Sequence, residues 1–265
     1  MNRYTPFLET PALTIGRFDH PEQNEHHDPD GEVSREYSIN FVERGEFSIG
    51  TYDGDWRLHP GQIFLSYPGM QYECRHDEFI PRDRCLSVCY VKEDVGPEFQ
   101  QFELAARRSP VIEVSNRTGF LRWALARVDD AIAAEELGAE LLVEVQNCDN
   151  IHQRPFRECQ FDWYAERVDA VREKILRTFH QNHSLSSLAR GVGMSTFHFA
   201  RVFRQLTGSP PHQYLREVRL KEAARRLCDG VSVTETCFSC GFQNLSHFTR
   251  SFQRRFGTPP SKYIV

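Results

Sequence analysis

The sequence of 265 residues contains no apolar run long enough to span a membrane, and it shows no signal peptide. These two absences lead us to expect a cytoplasmic protein with no membrane partner. Eight cysteines in a chain of this length do not reach the density of a disulfide scaffold, which favours reduced thiols.

Acidic residues are scarce in the last third of the chain. Residues 168–265 contain 15 Lys+Arg against 6 Asp+Glu, a net charge of +9, whereas residues 1–167 contain 17 against 31, a net charge of −14. A basic segment on an acidic body favours DNA binding by the carboxyl-terminal part and argues against phosphate contacts by the amino-terminal part. The length is sufficient for two domains, each with its own core.

Residues 185–263 contain one short pattern twice. The first copy reads HFARVF and the second reads HFTRSF, and a glycine, two prolines and a tyrosine follow each copy. Every matched position is displaced by the same number of residues, for example from Phe199 to Phe248 (248 − 199 = 49). Two copies are too few for a solenoid, so the pattern favours two similar parts that act side by side.

Each copy predicts a short helix, a glycine-containing turn and a longer helix. Ser195 and Asn244 precede the longer helices as N-caps, and Gly208 ends the first of them. Apolar residues at i, i+3, i+4 and i+7 from Phe199 give that helix one buried face. This arrangement is a helix-turn-helix. Residues 211–228 predict a linking helix of about 25 Å. When the widths of the two modules are added, this length is enough to hold the modules one DNA turn (~34 Å) apart.

The face opposite the buried stripe presents side chains that can contact DNA. Arginine pairs with guanine edges, and arginine or hydroxyl groups can hold phosphates. A single surface arginine could be an ordinary solvated charge, but Arg201 and Arg250 occupy the same place in the two copies, which favours DNA contact. His198 and His247 also recur, and packing or a phosphate contact is favoured for them over metal binding. The predicted DNA-contacting residues are Thr196, Phe197, Arg201, Arg204, Ser246, Thr249 and Arg250.

The two modules resemble the paired helix-turn-helix domain of the AraC/XylS family of transcription regulators. The resemblance implies that the second helix of each module enters successive major grooves on one side of bent DNA, and that the chain forms a homodimer. It also implies RNA polymerase and a small-molecule effector as candidate partners. Phe197, Cys237 and Leu245 depart from the family pattern. The residues that carry the resemblance are Ala189, Gly193, Phe203, Gly208, Pro210, Tyr214, Arg219, Leu220, Ala223, Leu227, Cys240, Gly241, Phe242, Phe252, Phe256, Gly257, Pro259 and Tyr263.

Residues 37–92 alternate apolar and polar side chains in short segments separated by Pro-Gly corners, which predicts a small β-sandwich or β-barrel. The turn residues between Gly45 and Gly69 resemble those of the cupin-like sensor domain that is often joined to this DNA-binding domain.

Residues 1–36 are polar and predict an exposed arm or a long loop. His26 and His27 beside Asp28 are a candidate metal site, but adjacent residues on a loop seldom converge on one ion. A solvated loop is therefore the favoured interpretation.

A bound metal would point to enzyme chemistry in the barrel. The cupin metal site uses a His-x-His pair, and no such pair occurs here, so a metalloenzyme tethered to a DNA-binding domain is the disfavoured alternative. We expect no enzyme activity and no cofactor. Cys74, His76 and Cys85, with Cys89 nearby, form instead a candidate effector, metal or redox site. Small buried thiols that fill the barrel are the favoured alternative.

Residues 117–147 return to helical periodicity, in two apolar stripes broken near Gly138, the first of which includes Ile132. These helices either pack on the barrel or pair with a second subunit, and dimerisation is favoured. Residues 148–165 have mixed polar composition and predict an interdomain linker.

Together these patterns predict a two-domain α+β protein. Residues 1–110 are expected to form a small cupin-like β-barrel that senses an effector, and residues 111–165 a helical dimerisation and linker region. Residues 166–265 are expected to form an all-α domain with two helix-turn-helix modules joined by a linker helix. The predicted function is sequence-specific regulation of transcription on double-stranded DNA. One alternative keeps this function and makes the Cys/His cluster a metal or redox sensor.

Overall fold

A computed structural model describes residues 3–19, 32–76, 83–91, 96–147 and 155–263. The chain divides into two compact units, residues 1–155 and residues 156–265. Within the described residues, the first unit combines β-strands with α-helices and the second unit is helical, so the protein has a two-domain α+β organisation.

The strands of the first unit form two antiparallel sheets. They are β1 Arg3–Glu9, β2 Leu13–Asp19, β3 Glu32–Val33, β4 Tyr37–Arg44, β5 Phe47–Thr51, β6 Gly54–Leu58, β7 Gln62–Ser66, β8 Gln71–His76, β9 Arg84–Tyr90 and β10 Val111–Glu113. The larger sheet has the order β1-β2-β9-β4-β7-β10, and the smaller sheet has the order β3-β8-β5-β6. The strands predicted between residues 37 and 92 are confirmed.

The central strand β4 is buried on both faces, which is expected when a sheet is covered on each side. On one face, the Tyr37 ring packs edge-on against Phe102, which lies in a helix. On the other face, Val42 belongs to a core that includes Phe47 and Ile49 of the smaller sheet. The larger sheet therefore separates a helical layer from the smaller sheet.

The prediction of an exposed arm is wrong for residues 3–19, which form the hairpin of β1 and β2. Strand β2 pairs with β9 and buries Leu13 and Ile15. These two apolar residues alternate with polar ones, so the average composition is polar although one face of the strand is apolar. His26, His27 and Asp28 lie outside the described residues.

Three helices cover the larger sheet of the first unit. They are α1 Pro97–Arg108, α2 Asn116–Leu125 and α3 Ala131–Gln146. The predicted break near Gly138 is wrong, because α3 continues through this residue. A Cβ atom at Gly138 would overlap Leu13, and the Tyr90 hydroxyl donates a hydrogen bond to the Gly138 carbonyl oxygen at 2.7 Å. The glycine therefore permits close packing of a helix on the sheet.

The described part of the second unit contains six α-helices and a short 3₁₀ helix. They are α4 Glu158–Thr178, α5 Leu185–Gly191, α6 Thr196–Thr207, α7 Pro211–Cys228, α8 Val233–Ser239, α9 Leu245–Phe256 and the 3₁₀ helix Pro260–Lys262. The predicted linker, residues 148–165, is helical from Glu158 onward. None of the described helices combines the length and apolarity that a membrane span requires.

The carboxyl-terminal half of the second unit has its own core, to which α7, α8 and α9 all contribute. Phe248 and Phe252 of α9 are fully buried there against Leu227 of α7 and Cys237 of α8. Burying one phenylalanine side chain stabilises a fold by about 1.5–3 kcal/mol. Cys237 is therefore part of the core, at a position where the family that the chain resembles has a small residue.

Candidate DNA-binding surface

We call α5 and α6 the first helix pair. The side chain of Ser195 accepts a hydrogen bond from the main-chain N–H of His198, which caps the start of α6. Gly208 follows α6 with φ +77°, a left-handed conformation that favours glycine. Between the caps, the predicted apolar face from Phe199 to Leu206 is fully buried. The predicted caps and buried face of α6 are thus confirmed.

We call α8 and α9 the second helix pair. The side chain of Asn244 accepts a hydrogen bond from the main-chain N–H of His247 at 3.0 Å, and Gly257 ends α9 with φ +73°. The turn between the two helices contains Gly241 at φ +83°, where a Cβ atom would lie 2.6 Å from the carbonyl oxygen of His180. Only glycine fits this turn without a shift of the backbone.

The first helix pair exposes the predicted DNA-contacting residues of α6 together. Phe197 is 83% exposed, and Thr196, Arg201 and Arg204 are exposed beside it. The Arg201 guanidinium lies 3.3 Å from Nδ1 of His198. An exposed aromatic ring and two guanidinium groups on one helix can contact a thymine methyl group, guanine edges or phosphates.

The second helix pair exposes Ser246 and Arg250, while Thr249 is half-buried. Arg250 Nε donates a hydrogen bond to the Ser246 carbonyl oxygen at 3.3 Å. Arg250 occupies the position equivalent to Arg201 (250 − 201 = 49), and both side chains are exposed on the face opposite the buried phenylalanines. The two longer helices therefore present one arginine each at the same place.

Arg219 belongs to the residues that carry the family resemblance, but no sequence pattern predicted its structural role. Arg219 of α7 donates hydrogen bonds to the carbonyl oxygens of Phe179 at 2.7 Å and Gln181 at 2.8 Å, just after α4 ends. A second contact joins α4 and α7, in which Arg172 Nε donates a hydrogen bond to the Tyr214 hydroxyl at 3.2 Å. These contacts hold α7 against α4 and against the segment that follows it.

A family model described as "Helix-turn-helix domain" matches residues 188–264. The uncharacterised HTH-type transcriptional regulator YbfI of Bacillus subtilis (strain 168) is 26% identical over 226 residues, which are 80% of this chain and 78% of that protein. The virulence regulon transcriptional activator VirF of Yersinia enterocolitica is 35% identical over 98 residues, which are 37% of this chain and 35% of that protein. The chain belongs to the AraC/XylS family. It is a DNA-binding transcription regulator, and the family that the sequence resemblance predicted is confirmed.

Solved structures also match this AraC/XylS family member. A probable AraC family transcriptional regulator from Rhodopseudomonas palustris CGA009 is 31% identical, over 37% of this chain and 94% of that chain, with a TM-score of 0.36.

The first unit of this family member contains a cavity of about 670 Å³ that both sheets line. Cys74, Cys85 and Cys89, which the sequence grouped as a candidate site, all line it. His76 lies on β8 beyond Cys74, and its side chain lies outside the described residues. The structure thus brings the three thiols to one cavity.

One wall of the cavity is a polar network. The Ser66 hydroxyl lies 2.7 Å from the Ser38 hydroxyl and 3.0 Å from the Ser34 hydroxyl. Asn40 Nδ2 donates to the Ser38 hydroxyl at 2.7 Å. Sequence reasoning missed this network, since its residues lie on two strands and on the segment before β4, and only the fold brings them together.

Burial disfavours the thiolate form of the three cavity thiols. Burial raises the pKa of Cys74 and of Cys85 well above the usual thiol range, and it raises the pKa of Cys89 to about 11. A thiol protonated at neutral pH is a weak nucleophile and a weak metal ligand. Among the described residues, no group of three or more His, Cys, Asp or Glu side chains is arranged to hold a metal ion.

Proposed function

We propose that both helix pairs are helix-turn-helix modules and that α6 and α9 enter successive major grooves of a DNA site. The observation that carries this proposal is the exposed arginine at the same position of both helices, Arg201 and Arg250, in a segment with a net charge of +9. The 18 residues of α7 give a helix of about 27 Å, a length compatible with two modules one DNA turn apart.

The two longer helices offer different chemistry to DNA. Arg201 and Arg204 on α6 suit guanine edges or phosphates, and Phe197 beside them suits the methyl group of thymine. On α9, Arg250 stands with the hydroxyl groups of Ser246 and Thr249. The proposal therefore includes an operator with two unlike half-sites.

Recovery of DNA fragments bound by the purified protein, followed by salt titration of the best fragment, tests this function. We expect a discrete motif with two half-sites about one helical turn apart. The affinity should fall steeply with salt, because DNA-bound cations are released when arginines neutralise phosphates. Binding of equal strength to unrelated fragments would contradict the proposal.

We also propose that the first unit is a cupin-like sensor whose cavity binds a small-molecule effector. A volume of about 670 Å³ lies within the usual range for ligand sites, about 300–1,000 Å³. Phe47 and Ile49 of the smaller sheet supply apolar lining, and Phe64 of the larger sheet adds to it beside the serine and asparagine network. An effector with an apolar body and one hydrogen-bonding group fits this lining.

The charges of the cavity lining favour a neutral or positively charged effector. Among the described residues that line the cavity, the charged ones are the half-buried Glu32 and the exposed Arg35 and Glu36. An anion that loses water on entry needs a buried positive partner, which the described part of this lining does not supply. The net charge of −14 in residues 1–167 also favours a neutral or positively charged effector over an anion.

Three small molecules that share an aromatic body test the charge preference: 2-phenylethanol, phenethylamine and phenylacetate. We expect the first two to raise the melting temperature of the protein and the phenylacetate anion to have no effect. A Cys74→Phe variant, which fills part of the cavity, should lose the effect, and Cys74→Ala should keep it. An equal response to phenylacetate would contradict the charge argument, and responses that persist in Cys74→Phe would place the binding elsewhere.

The effector would act by preferring one arrangement of the protein over another, which shifts the population that can bind DNA. We further propose a homodimer formed through α3 and an activating role with RNA polymerase as partner. The relative VirF is named a transcriptional activator, which supports the activating role.

A further inference from the structure

A second cavity, of about 550 Å³, lies in the second unit. Helix α7 bounds it on one side, and the turn between α8 and α9 with the start of α9 bounds it on the other. His212 and Arg216 of α7 line it from one side. Gln243 and His247, which flank the start of α9, line it from the other. Among the described residues, no acidic side chain lines the cavity. We call this cavity the α7–α9 groove.

Four of the polar groups that line the groove are committed to the fold. Arg219 donates to the carbonyl oxygens that follow α4, and Asn244 caps α9. The side chain of Gln243 donates to that of Asn182 at 3.4 Å. The groups that remain for a ligand are the exposed imidazoles of His212 and His247 and the half-buried guanidinium of Arg216. These are hydrogen-bond donors or cationic groups of the kind that hold a phosphate.

The first module has no matching set of donors at the equivalent positions. His212 corresponds to Trp163 (212 − 163 = 49), and Arg216 corresponds to Arg167, whose guanidinium lies 3.6 Å from the centre of the Trp163 ring. His247 corresponds to His198, whose Nε2 lies 3.1 Å from the Tyr164 hydroxyl. Aromatic side chains of α4 therefore engage the groups that in the second module line an open groove.

We propose that the α7–α9 groove binds one phosphate of the DNA backbone, through Arg216 with His212 and His247, and that the first module lacks this contact. The proposal rests on the proposed entry of α9 into a major groove, because the groove adjoins the first turn of that helix. Leu245 is exposed on this turn, where the first module has Thr196. The second module would thus hold the DNA backbone, while Phe197 and the arginines of α6 supply more of the base reading.

Salt titration of Arg216→Ala on the operator fragment and on an unrelated fragment of equal length tests the assignment. We expect both affinities to fall by the same factor, because a phosphate contact carries no sequence information. The slope of log K against log salt should become less negative by about 0.9, the value for one lost phosphate contact. Arg216→Lys, which keeps the charge, should retain the wild-type slope.

Arg225→Ala is the matched control, since Arg225 lies on the same helix and pairs with Glu222 and Asp229 instead of lining the groove. It should bind with the wild-type slope. A melting temperature measured for each variant shows whether Arg216→Ala is folded, and if it is not, Arg216→Gln replaces it in the same titration. An unchanged slope in the folded variant, or a loss confined to the operator, would overturn the phosphate assignment.

Neutral methylphosphonate linkages placed one at a time along the operator locate the phosphate. We expect one linkage beside the α9 half-site to weaken wild-type binding and to leave Arg216→Ala unaffected, since the contact is already missing there. Sensitivity of both proteins to the same linkages would overturn the inference. If wild-type protein selects no motif, the proposed function fails; if it selects a motif while Arg216→Ala keeps the wild-type slope, only the groove assignment fails.

Discussion

Arg219 Nε donates a hydrogen bond to the carbonyl oxygen of Phe179 at 2.7 Å, which joins the linking helix α7 to the chain just after α4. The same guanidinium donates to Gln181, so one side chain satisfies two carbonyl groups beyond the end of α4. Partial burial of the guanidinium lowers the pKa of Arg219 from its ordinary value. These hydrogen bonds hold α7 against the segment that follows α4.

Replacement of Arg219 by alanine should lower the free energy of unfolding by about 2–4 kcal/mol, because two charge-assisted hydrogen bonds are lost and two carbonyl groups lose their partners. Urea denaturation monitored by circular dichroism measures this change. Arg225→Ala, which removes the ion pairs of an exposed guanidinium with Glu222 and Asp229 on the same helix, should change it much less. Equal effects of the two substitutions would show that Arg219 is an ordinary surface charge.

Gly241→Ala should destabilise the protein more than Gly193→Ala. Both glycines have a positive φ, which costs an alanine about 1–2 kcal/mol, and a Cβ at Gly193 meets open space. At Gly241 the added Cβ also meets the carbonyl oxygen of His180, which should add about 1–3 kcal/mol from overpacking. Thermal unfolding of the two variants checks the difference, and equal melting temperatures would remove the steric explanation.

Arg201→Ala and Arg250→Ala should each weaken binding to the selected operator by about 1–3 kcal/mol without lowering stability. Both side chains are exposed, so their loss removes DNA contacts and leaves the core intact. Fluorescence anisotropy with labelled operator measures the affinity. Arg177→Ala, which removes an exposed arginine paired with Glu173, is the control. Wild-type affinity in either variant would exclude that arginine from the interface.

The cavity thiols should react with iodoacetamide only at high pH. Because burial raises the pKa of Cys89 to about 11, its thiolate fraction should stay small at pH 8 and grow as the pH rises through that value. The exposed Cys159 and Cys228 should be labelled first. Peptide mapping by mass spectrometry gives the order of labelling. Fast reaction of Cys89 at pH 8 would favour the redox-sensor alternative.

Val143→Glu should turn a dimer into a monomer. Ile132, Ala139 and Val143 are exposed on α3 at spacings of 7 and 4 residues, which form one apolar stripe of a helix. The interpretation of Ile132 as a residue of the same stripe as the buried Phe120 is wrong, since Ile132 is 73% exposed. Sedimentation velocity measures the mass, and Leu176→Glu, an exposed leucine on α4, is the control. A monomeric wild-type protein would contradict the proposal.

Local sequence patterns predicted the two helix pairs of the second unit and the turns within them. N-caps such as Ser195 and Asn244, the end signal at Gly208 and the apolar spacing around Phe199 are local patterns, because each depends on residues within one or two turns of helix. The repeat then assigned the same structure to the second copy. The family followed from these local patterns and their spacing.

Contacts between residues far apart in sequence could not be predicted and became apparent in the folded chain. Gly138 was predicted to break a helix, but α3 continues through it and packs against Leu13 and Tyr90. Residues 3–19 were predicted to form an arm, but β2 pairs with β9. The effector cavity and the α7–α9 groove likewise unite residues far apart in sequence. Local patterns cannot report such contacts, because their free energy arises when the chain brings separate segments together and removes them from water.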